Sequence, residues 1–295
     1  MLKIGMVGAD SNHSLSFSRA LNVDKIVGGA RVTHLVGETV AHRTRTVATD
    51  GNIPHIASRS EDLIGAVDAA VIAHRHPQFH LPAARPLLEA GLPLYIDKSL
   101  CCRTAEAKRF LARASALGVP VCSFGVVPLQ PAFVALQKRI SQLGPIHAVV
   151  STGPCDVKCK WGGVFFYGIH QVEMVLRLLG YAVSHVQVVR GRGKNHVGTI
   201  AYKDGKVATV NLIGEEGVAG AFFHLSVIGA KGRIDQTIQT TPYPESMYYP
   251  GIRAFVRTFR TGQSTDTAET MLGAVAVLEA LEKSIAGKGR VGVSF

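Results

Sequence analysis

Short apolar runs alternate with helix-like segments in roughly the first 125 residues of the chain. The first run is KIGMVG at residues 3–8, which ends in glycine. Four similar runs follow, with helical spacing between them, at residues 30–36, 69–73, 94–96 and 119–124. Alternating strands and helices are typical of βαβ units and a parallel sheet. The pattern predicts an α/β fold with an N-terminal Rossmann-type, doubly wound parallel sheet over residues 1–124.

Helices are predicted between these runs, at residues 14–21, 39–49, 81–90 and 104–117, with one more starting at residue 60. Because Ser60 precedes Glu61 and Asp62, we expect its hydroxyl to cap that helix and the carboxylates to favour the first turn. Gly91 and Gly118 are expected to end the last two helices.

The pattern changes after residue 125. A predicted helix at 131–143 leads into a series of strands, with one apolar helix at 169–179 among them and an amphipathic helix at 267–285 after them. The predicted strands are 146–151, 185–189, 198–202, 208–213 and 222–228. Such a block suits an open, largely antiparallel sheet with helices on one face. We therefore predict a second α/β domain over residues 125–295.

Composition narrows the class of protein. With 295 residues, 47% of them hydrophobic, the chain can form two cores. The N-terminal run is typical of a strand rather than of a signal peptide, and no apolar run is long enough for a transmembrane helix. Among the five cysteines Cys101 and Cys102 are adjacent, and Cys155 and Cys159 lie four apart with no second pair at zinc-like spacing after them, so no metal site is predicted. We expect a cytoplasmic protein with reduced thiols.

The formal net charge is +11. The basic residues are spread along the chain without a run of five or more, so we expect no nucleic-acid partner. Attraction for a phosphorylated cofactor and an anionic small molecule accounts for the charge, and so do solvated surfaces.

The first predicted strand leads into Gly8-Ala9-Asp10-Ser11-Asn12-His13, where dinucleotide enzymes bind a pyrophosphate. Only the first of the three glycines of that motif is present, since Asp10 and His13 occupy the other two positions. We expect Asp10 to cap the following helix, because a carboxylate would repel a pyrophosphate. The helix N-terminus still favours an anion.

Glu38 follows the second predicted strand, where an acid binds the adenine ribose in NAD enzymes. The alternative is a solvated glutamate in a turn. Arg43 and Arg45 come shortly afterwards and could accommodate a 2′-phosphate. The sequence therefore favours NAD as cofactor, with NADP as the alternative.

Three segments together resemble the Gfo/Idh/MocA (glucose–fructose oxidoreductase/inositol dehydrogenase) family. One is LEAGLPLYIDKS at residues 88–99, in which Asp97-Lys98-Ser99 replaces the family's Glu-Lys-Pro. Another is GGVFFYGIHQVE at 162–173, a glycine-led helix that carries His170 and Glu173. The third is VIGAKGRI at 227–234, which is similar to a strand and turn of the family.

This resemblance implies a nicotinamide-binding domain, a second domain for substrate binding and oligomerisation, and a sugar or polyol substrate. It places Lys98 between nicotinamide and substrate, with His170 facing it from the second domain. A lysine or histidine can take a hydroxyl proton near neutral pH. Glu173 could orient His170 or pair with Arg177. The alternatives are that Lys98 is an ordinary surface lysine and that His170 is a core histidine.

The chain departs from the family in three places. Phe166 stands where many active members carry an aspartate, so Tyr167 is a candidate proton donor in its place. The loop at residues 73–80 is unusually basic, and His74 in it is a candidate cofactor-binding residue with Asp97 and Lys98. Residues 123–127 lack the arginines common in the family.

We therefore expect an NAD(P)-dependent oxidoreductase, functioning as a homo-oligomer (a dimer or tetramer) on a polar small molecule. The alternative is a ligand-binding or regulatory protein that kept the fold and lost the redox chemistry. The eroded glycine motif and Phe166 favour that alternative, whereas Lys98, His170 and Glu38 oppose it.

Overall fold

The computed structural model describes residues 1–38, 40–214, 222–239, 246–264 and 266–295. Its strands are β1 (Leu2–Val7), β2 (Ala30–Val36), β3 (His55–Ala57), β4 (Ala69–Ile72), β5 (Leu94–Ile96), β6 (Val121–Cys122), β7 (Ile146–Pro154), β8 (Val183–Arg190), β9 (His196–Tyr202), β10 (Val207–Ile213), β11 (Phe222–Gly229), β12 (Gly232–Gln239) and β13 (Val291–Gly292). Its α-helices are α1 (Asn12–Asn22), α2 (Ala41–Asp50), α3 (His80–Glu89), α4 (Thr104–Leu117), α5 (Pro131–Arg139), α6 (Val164–Leu179), α7 (Tyr249–Thr261) and α8 (Ala268–Lys283).

The chain forms two compact units. Unit 1 comprises Met1–Cys101, Ala105–Phe124 and Tyr248–Met271, and unit 2 comprises Cys102–Thr104, Gly125–Met247 and Leu272–Phe295. These units differ from the domains predicted at 1–124 and 125–295 in the placement of residues 102–104 and 248–271. Residues 248–271 contain α7, whose apolar side chains pack within unit 1.

Unit 1 is built on six parallel strands in the order β3-β2-β1-β4-β5-β6. Every residue of β4 and β5 is buried, as expected for central strands of a sheet covered on both faces. The chain runs outward from β1 to β3, returns to β4, and runs outward again to β6. This is the doubly wound order, which places the carboxyl ends of β1 and β4 beside each other.

Helix α7 completes the core of unit 1. Phe255 stacks on Tyr95 of β5 with ring centroids 4.8 Å apart, and it also lies 5.7 Å from Phe17 of α1. The Tyr249 hydroxyl donates to Asp24 at 2.9 Å. An element from late in the sequence thus covers aromatic residues from the first part of the chain.

Unit 2 is built on a seven-stranded sheet in the order β12-β11-β7-β10-β9-β8-β13. The pair β7–β10 is parallel, and the other described pairs are antiparallel. One face of the sheet shares a core with α5, α6 and α8. On the other face Val197, Val207 and Ile228 remain about 40% exposed. The two sheets confirm the predicted fold class.

Several elements differ from the sequence-based prediction. Strands β3, β12 and β13 and helix α7 were not predicted. The expected helix at Ser60 is a four-residue 3₁₀ helix, Ser60–Leu63. Its start is held by Asp62, whose carboxylate accepts from the backbone N–H groups of Ser58 and Arg59 at 3.0 and 3.1 Å. The predicted capping role of Ser60 is therefore wrong. No helix in the described ranges is long and apolar enough to cross a membrane.

Candidate active site

The loop between β1 and α1 turns tightly at Gly8. This residue has a φ of 103°, and a Cβ there would lie 2.7 Å from the backbone nitrogen of His74. Only glycine fits both the conformation and the close approach. The tight turn predicted for Gly8 is present, and it packs directly on the loop after β4.

Ser11 caps α1, because its hydroxyl accepts from the backbone N–H of His13 at 3.2 Å. The predicted cap, Asp10, is wrong. The Oδ1 atom of Asp10 is buried and has no hydrogen-bond partner in the described part of the chain. A buried acceptor without a donor is costly, so this atom marks a place where a ligand donor would be favourable.

Glu38 lies against the same loop. Its Oε2 accepts from the backbone N–H groups of Ala9 and Asp10, both at 2.8 Å, whereas no described residue donates to Oε1. Burial raises the pKa of this carboxyl, although the two N–H groups oppose that effect. The solvated turn glutamate considered for the sequence does not match these contacts. Glu38 holds the loop with one oxygen and keeps the other available.

Arg43 holds the loop from its other side. Its Nε donates to the carbonyl of Ala9 at 3.2 Å, and its guanidinium also donates to Asn12 Oδ1 at 3.0 Å. These bonds give the loop a positive charge close to Glu38. The sequence placed Arg43 only near a 2′-phosphate and did not predict this contact with the loop.

His13, in the place of the third glycine, pairs with Asp97 across the sheet edge. Its Nδ1 lies 2.7 Å from Asp97 Oδ2, and Asp97 is almost completely buried. Burial alone would raise the pKa of Asp97, but the nearby His13, Lys98 and His80 lower it to about 2. Asp97 is therefore a carboxylate at neutral pH. The pair links the start of α1 to the end of β5.

Lys98 follows β5 at the carboxyl edge of the sheet and is 9% exposed. The peptide bond between Lys98 and Ser99 is cis. Because the Lys98 side chain is buried, the alternative of an ordinary surface lysine does not apply. Because the strands of unit 1 are parallel, Lys98 lies at the same sheet edge as Gly8 and Glu38.

His74 lies on the loop after β4. Its Nδ1 is buried without a hydrogen-bond partner among the described residues. Burial and the neighbouring His80 lower its pKa to about 3, so the ring is neutral at physiological pH. A neutral imidazole can donate from one nitrogen and accept at the other. His74 therefore offers a polar atom to a ligand without adding charge.

In unit 2, α6 begins after Gly162 and Gly163, which have φ values of 105° and 57°. His170 on this helix is 5% exposed and lies edge-on to Phe223 and Tyr167. Tyr167 is 41% exposed. The buried histidine and the exposed phenol thus lie on one helical turn.

Glu173 contacts the backbone of Gly125. Its two carboxylate oxygens share the Gly125 N–H at 2.9 and 3.0 Å. A Cβ at residue 125 would collide with Glu173 and would lie 3.1 Å from His170 Nδ1. Sequence reasoning missed Gly125. Its position could have indicated a role, because this glycine directly follows the last predicted strand of the Rossmann-type domain.

Cysteine and metal chemistry add little to this site. The five cysteines, all in described ranges, form no disulfide, and burial raises the pKa of Cys155 to about 12. No group of three or more His, Cys, Asp or Glu side chains that could hold a metal occurs in the part of the chain described.

The unit 1 edge fits a dinucleotide. Gly8 permits the tight turn, Glu38 Oε1 can accept from a ribose hydroxyl, and the buried His74 Nδ1 has no hydrogen-bond partner among the described residues. Asp10 is the one poor match to a pyrophosphate, and Arg43 provides a nearby cation.

No family model matches the chain. Inositol 2-dehydrogenase of Corynebacterium glutamicum (strain ATCC 13032) is 30% identical over 198 residues, which is 63% of this chain and 57% of that protein. The chain spans about half the length of the curated relatives it matches, since the match to the strain R protein covers 41% of it.

Solved structures with the same fold include two inositol dehydrogenases. Myo-inositol 2-dehydrogenase from Lactobacillus plantarum has a TM-score of 0.84 at 14% identity, with 99% of each chain covered. Scyllo-inositol dehydrogenase from Lactobacillus casei, with bound NAD(H) and scyllo-inositol, has a TM-score of 0.83 at 14% identity and the same coverage. The chain is thus similar in sequence to inositol 2-dehydrogenases and in fold to solved inositol dehydrogenases, which supports the resemblance predicted from its motifs.

Proposed function

We propose that the protein is an NAD-dependent oxidoreductase that transfers a hydride to or from a polyol, a sugar or a related polar molecule. The observation that carries this proposal is the carboxyl edge of the unit 1 sheet. There the Gly8 turn, the available oxygen of Glu38 and the buried Lys98 lie at the ends of parallel strands. The inositol dehydrogenases among its relatives support the polyol class. An anionic polyol derivative also suits the net charge of +11.

The residues that would hold NAD are the Gly8–His13 loop, Glu38, His74 and the Asp97-Lys98 pair. Glu38 favours NAD over NADP, because its carboxylate accepts hydrogen bonds from a free 2′-hydroxyl and repels a 2′-phosphate. Arg43 is already bonded to the loop and so offers less to a 2′-phosphate than its position in the sequence implies.

When bound, NAD supplies the hydride acceptor or donor. For an alcohol substrate, the C–H bond gives up a hydride and the hydroxyl gives up a proton. The Lys98 ammonium would donate a hydrogen bond to the reacting oxygen and stabilise its developing negative charge. His170 would accept or return the proton. Tyr167 is the candidate donor where Phe166 has replaced a carboxylate, and Glu173 would fix the helix that carries them.

A binding protein without redox chemistry is the second candidate. Two observations favour it: Phe166 stands in the place of a carboxylate, and Asp10 Oδ1, at the position of the second glycine, has no hydrogen-bond partner in the described ranges. Such a protein would bind a dinucleotide or a polyol without turnover.

We further propose a cytoplasmic homo-oligomer with no nucleic-acid partner. The absence of disulfides among the cysteines supports a reducing compartment. The half-exposed Val197, Val207 and Ile228 on the outer face of the unit 2 sheet support self-association as a dimer or tetramer. Sedimentation of the purified protein would measure the subunit number.

A titration with NAD⁺, NADH, NADP⁺ and NADPH, followed by thermal shift or fluorescence, tests the proposal. We expect NAD⁺ or NADH to bind with a Kd of about 1 µM, which corresponds to ~8 kcal/mol. A dehydrogenase screen over polyols, sugars and sugar acids then identifies the substrate. Binding without turnover of any substrate would favour the second candidate, and no binding would contradict both the cofactor and the site.

A further inference from the structure

His80 is the first residue of α3 and is completely buried. Its Nδ1 lies 2.8 Å from the carbonyl oxygen of Ser99, and its Nε2 lies 2.9 Å from the carbonyl oxygen of His74. A carbonyl oxygen can only accept, so each contact requires a hydrogen on the ring nitrogen. A neutral imidazole has one such hydrogen and an imidazolium has two. Both contacts therefore exist together only when the ring is doubly protonated.

The surroundings of His80 act in both directions. Burial lowers its pKa, and Lys98 adds to this effect, whereas the two carbonyl oxygens and the carboxylate of Asp97 raise it. His74 and His76, on the loop before α3, are also close enough for their pKa values to be lowered by His80. The helix N-terminus disfavours a cation as well. A ring in this setting loses its second proton more easily than an exposed histidine does.

We propose that His80 is a positioning residue for Lys98, and that it binds both carbonyls only while doubly protonated. Loss of one proton leaves one ring nitrogen facing a carbonyl oxygen without a hydrogen, so one of the two contacts is lost. Ser99 directly follows Lys98, so the ring proton and the position of the backbone beside Lys98 are coupled. The role of His80 in catalysis rests on the proposed function. The coupling between its ring proton and the backbone beside Lys98 does not.

The coupling is measurable in the unliganded protein by NMR. With ¹⁵N-labelled histidine, we expect two exchange-protected ring N–H signals from His80 at the acid end of the range between about pH 5 and 8. The backbone amide of Leu100 shares its peptide group with the Ser99 carbonyl and is buried, so its chemical shift reports on that hydrogen bond. As long as both ring N–H signals of His80 persist, we expect the Leu100 shift to stay constant. Where the ring loses one proton, we expect the Leu100 shift to move with the same midpoint.

His80→Gln assigns the ring signals and should abolish any pH dependence of Leu100. If this variant does not fold, correlation of the ring with its own Cβ in the native protein gives the same assignment. His147→Asn is the control, because His147 is an exposed histidine of unit 2, and it should leave the Leu100 behaviour unchanged. A His80 ring with a single N–H throughout this range, together with a constant Leu100 amide, would overturn the proposal.

Once a substrate is known, kinetics tests the catalytic part separately. His80→Gln should lower kcat about 10-fold or more through displacement of Lys98, and it should leave the Kd for NAD within about 2-fold. One limb of the pH–rate profile should also move. A purely structural role would lower stability without moving that limb, and this outcome would contradict the positioning role. Lack of any turnover would count against the proposed function and leave the NMR result standing by itself.

Discussion

Unit 1 and unit 2 hold their candidate residues in different ways. In unit 1 these residues lie on loops or in the first turn of α1. Their side chains bind the backbone or side chains of another segment, as Glu38 does with Ala9 and His13 with Asp97. In unit 2 His170 and Glu173 lie on one buried helix that is held by apolar packing. The difference implies that charge changes perturb unit 1 most, whereas volume changes perturb unit 2 most.

The largest effect is expected from Lys98→Met, which keeps the aliphatic stem and removes the charge. Turnover should fall about 100-fold, or ~3 kcal/mol, because a charged donor to the developing oxyanion is lost. Folding and cofactor affinity should change little. Steady-state kinetics measures the effect, with the exposed Lys108→Met as control. Full activity in Lys98→Met would contradict the assigned role.

His170→Ala should cause a loss of comparable kind and remove one limb of the pH–rate profile. If Lys98 and His170 act on the same proton transfer, the double variant should be scarcely slower than either single variant. Losses that simply multiply would show instead that the two residues act on separate steps.

Gly125→Ala tests the sensitivity of unit 2 to volume. The added methyl group would collide with Glu173 and press on His170, so the free energy of unfolding should fall by about 2 kcal/mol. Urea denaturation measures this change. Gly28→Ala is the control, because nothing lies within 4 Å of a Cβ there. Equal stability of the two variants would mean that α6 adjusts without cost.

Asp97→Asn tests the charge dependence of unit 1. The pKa of Asp97 is about 2 in the folded protein against 3.8 in a model peptide, so the ionised group contributes about 2 kcal/mol to stability. Because the folded-state pKa is the lower one, this contribution is present above about pH 4 and is lost as the pH falls through about 2. The stability difference between wild type and Asp97→Asn should shrink over that window. If the stability difference does not change with pH, the effect of Asp97→Asn comes from packing and not from the charge.

The smallest effect is expected from Glu38→Ala on cofactor choice. Affinity for NAD should fall about 10-fold, or ~1.4 kcal/mol, and affinity for NADP should fall less, since the removed carboxylate also repels a 2′-phosphate. Isothermal titration with both cofactors measures the ratio, with the exposed Glu61→Ala as control. Equal losses would show that Glu38 only supports the loop.

Elements whose apolar pattern has clear ends were the easiest to predict from sequence. β2, β5 and α4 have the predicted bounds, because their apolar patterns end at clear boundaries. β12 was missed because its sequence, GRIDQTIQ, is mostly polar. Its backbone hydrogen bonds to β11 nevertheless hold it as a strand. α7 was missed because Pro250 and Gly251 resemble helix breakers, although proline is tolerated in the first helical turn.

The candidate site was predictable as a set of residues but not as a set of contacts. Lys98, His170 and Glu38 follow from motif positions, and each lies at a strand end or on a helix as expected. The contacts of Glu38 with the loop and of Glu173 with Gly125 join residues 28 to 48 positions apart. A single sequence carries no signal for such pairs. The error over the cap of α1 is local, because Asp10 and Ser11 are neighbours and both residue types are favoured at a helix N-cap.

The return of α7 to unit 1 affects how the chain can fold during synthesis. Tyr95 and Phe17 are made early, whereas Phe255, which packs against both, is synthesised 160 residues after Tyr95. A fragment that stops at residue 124 lacks this aromatic cover and exposes the rings to water. Unit 1 therefore cannot reach its complete core until α7 has been synthesised.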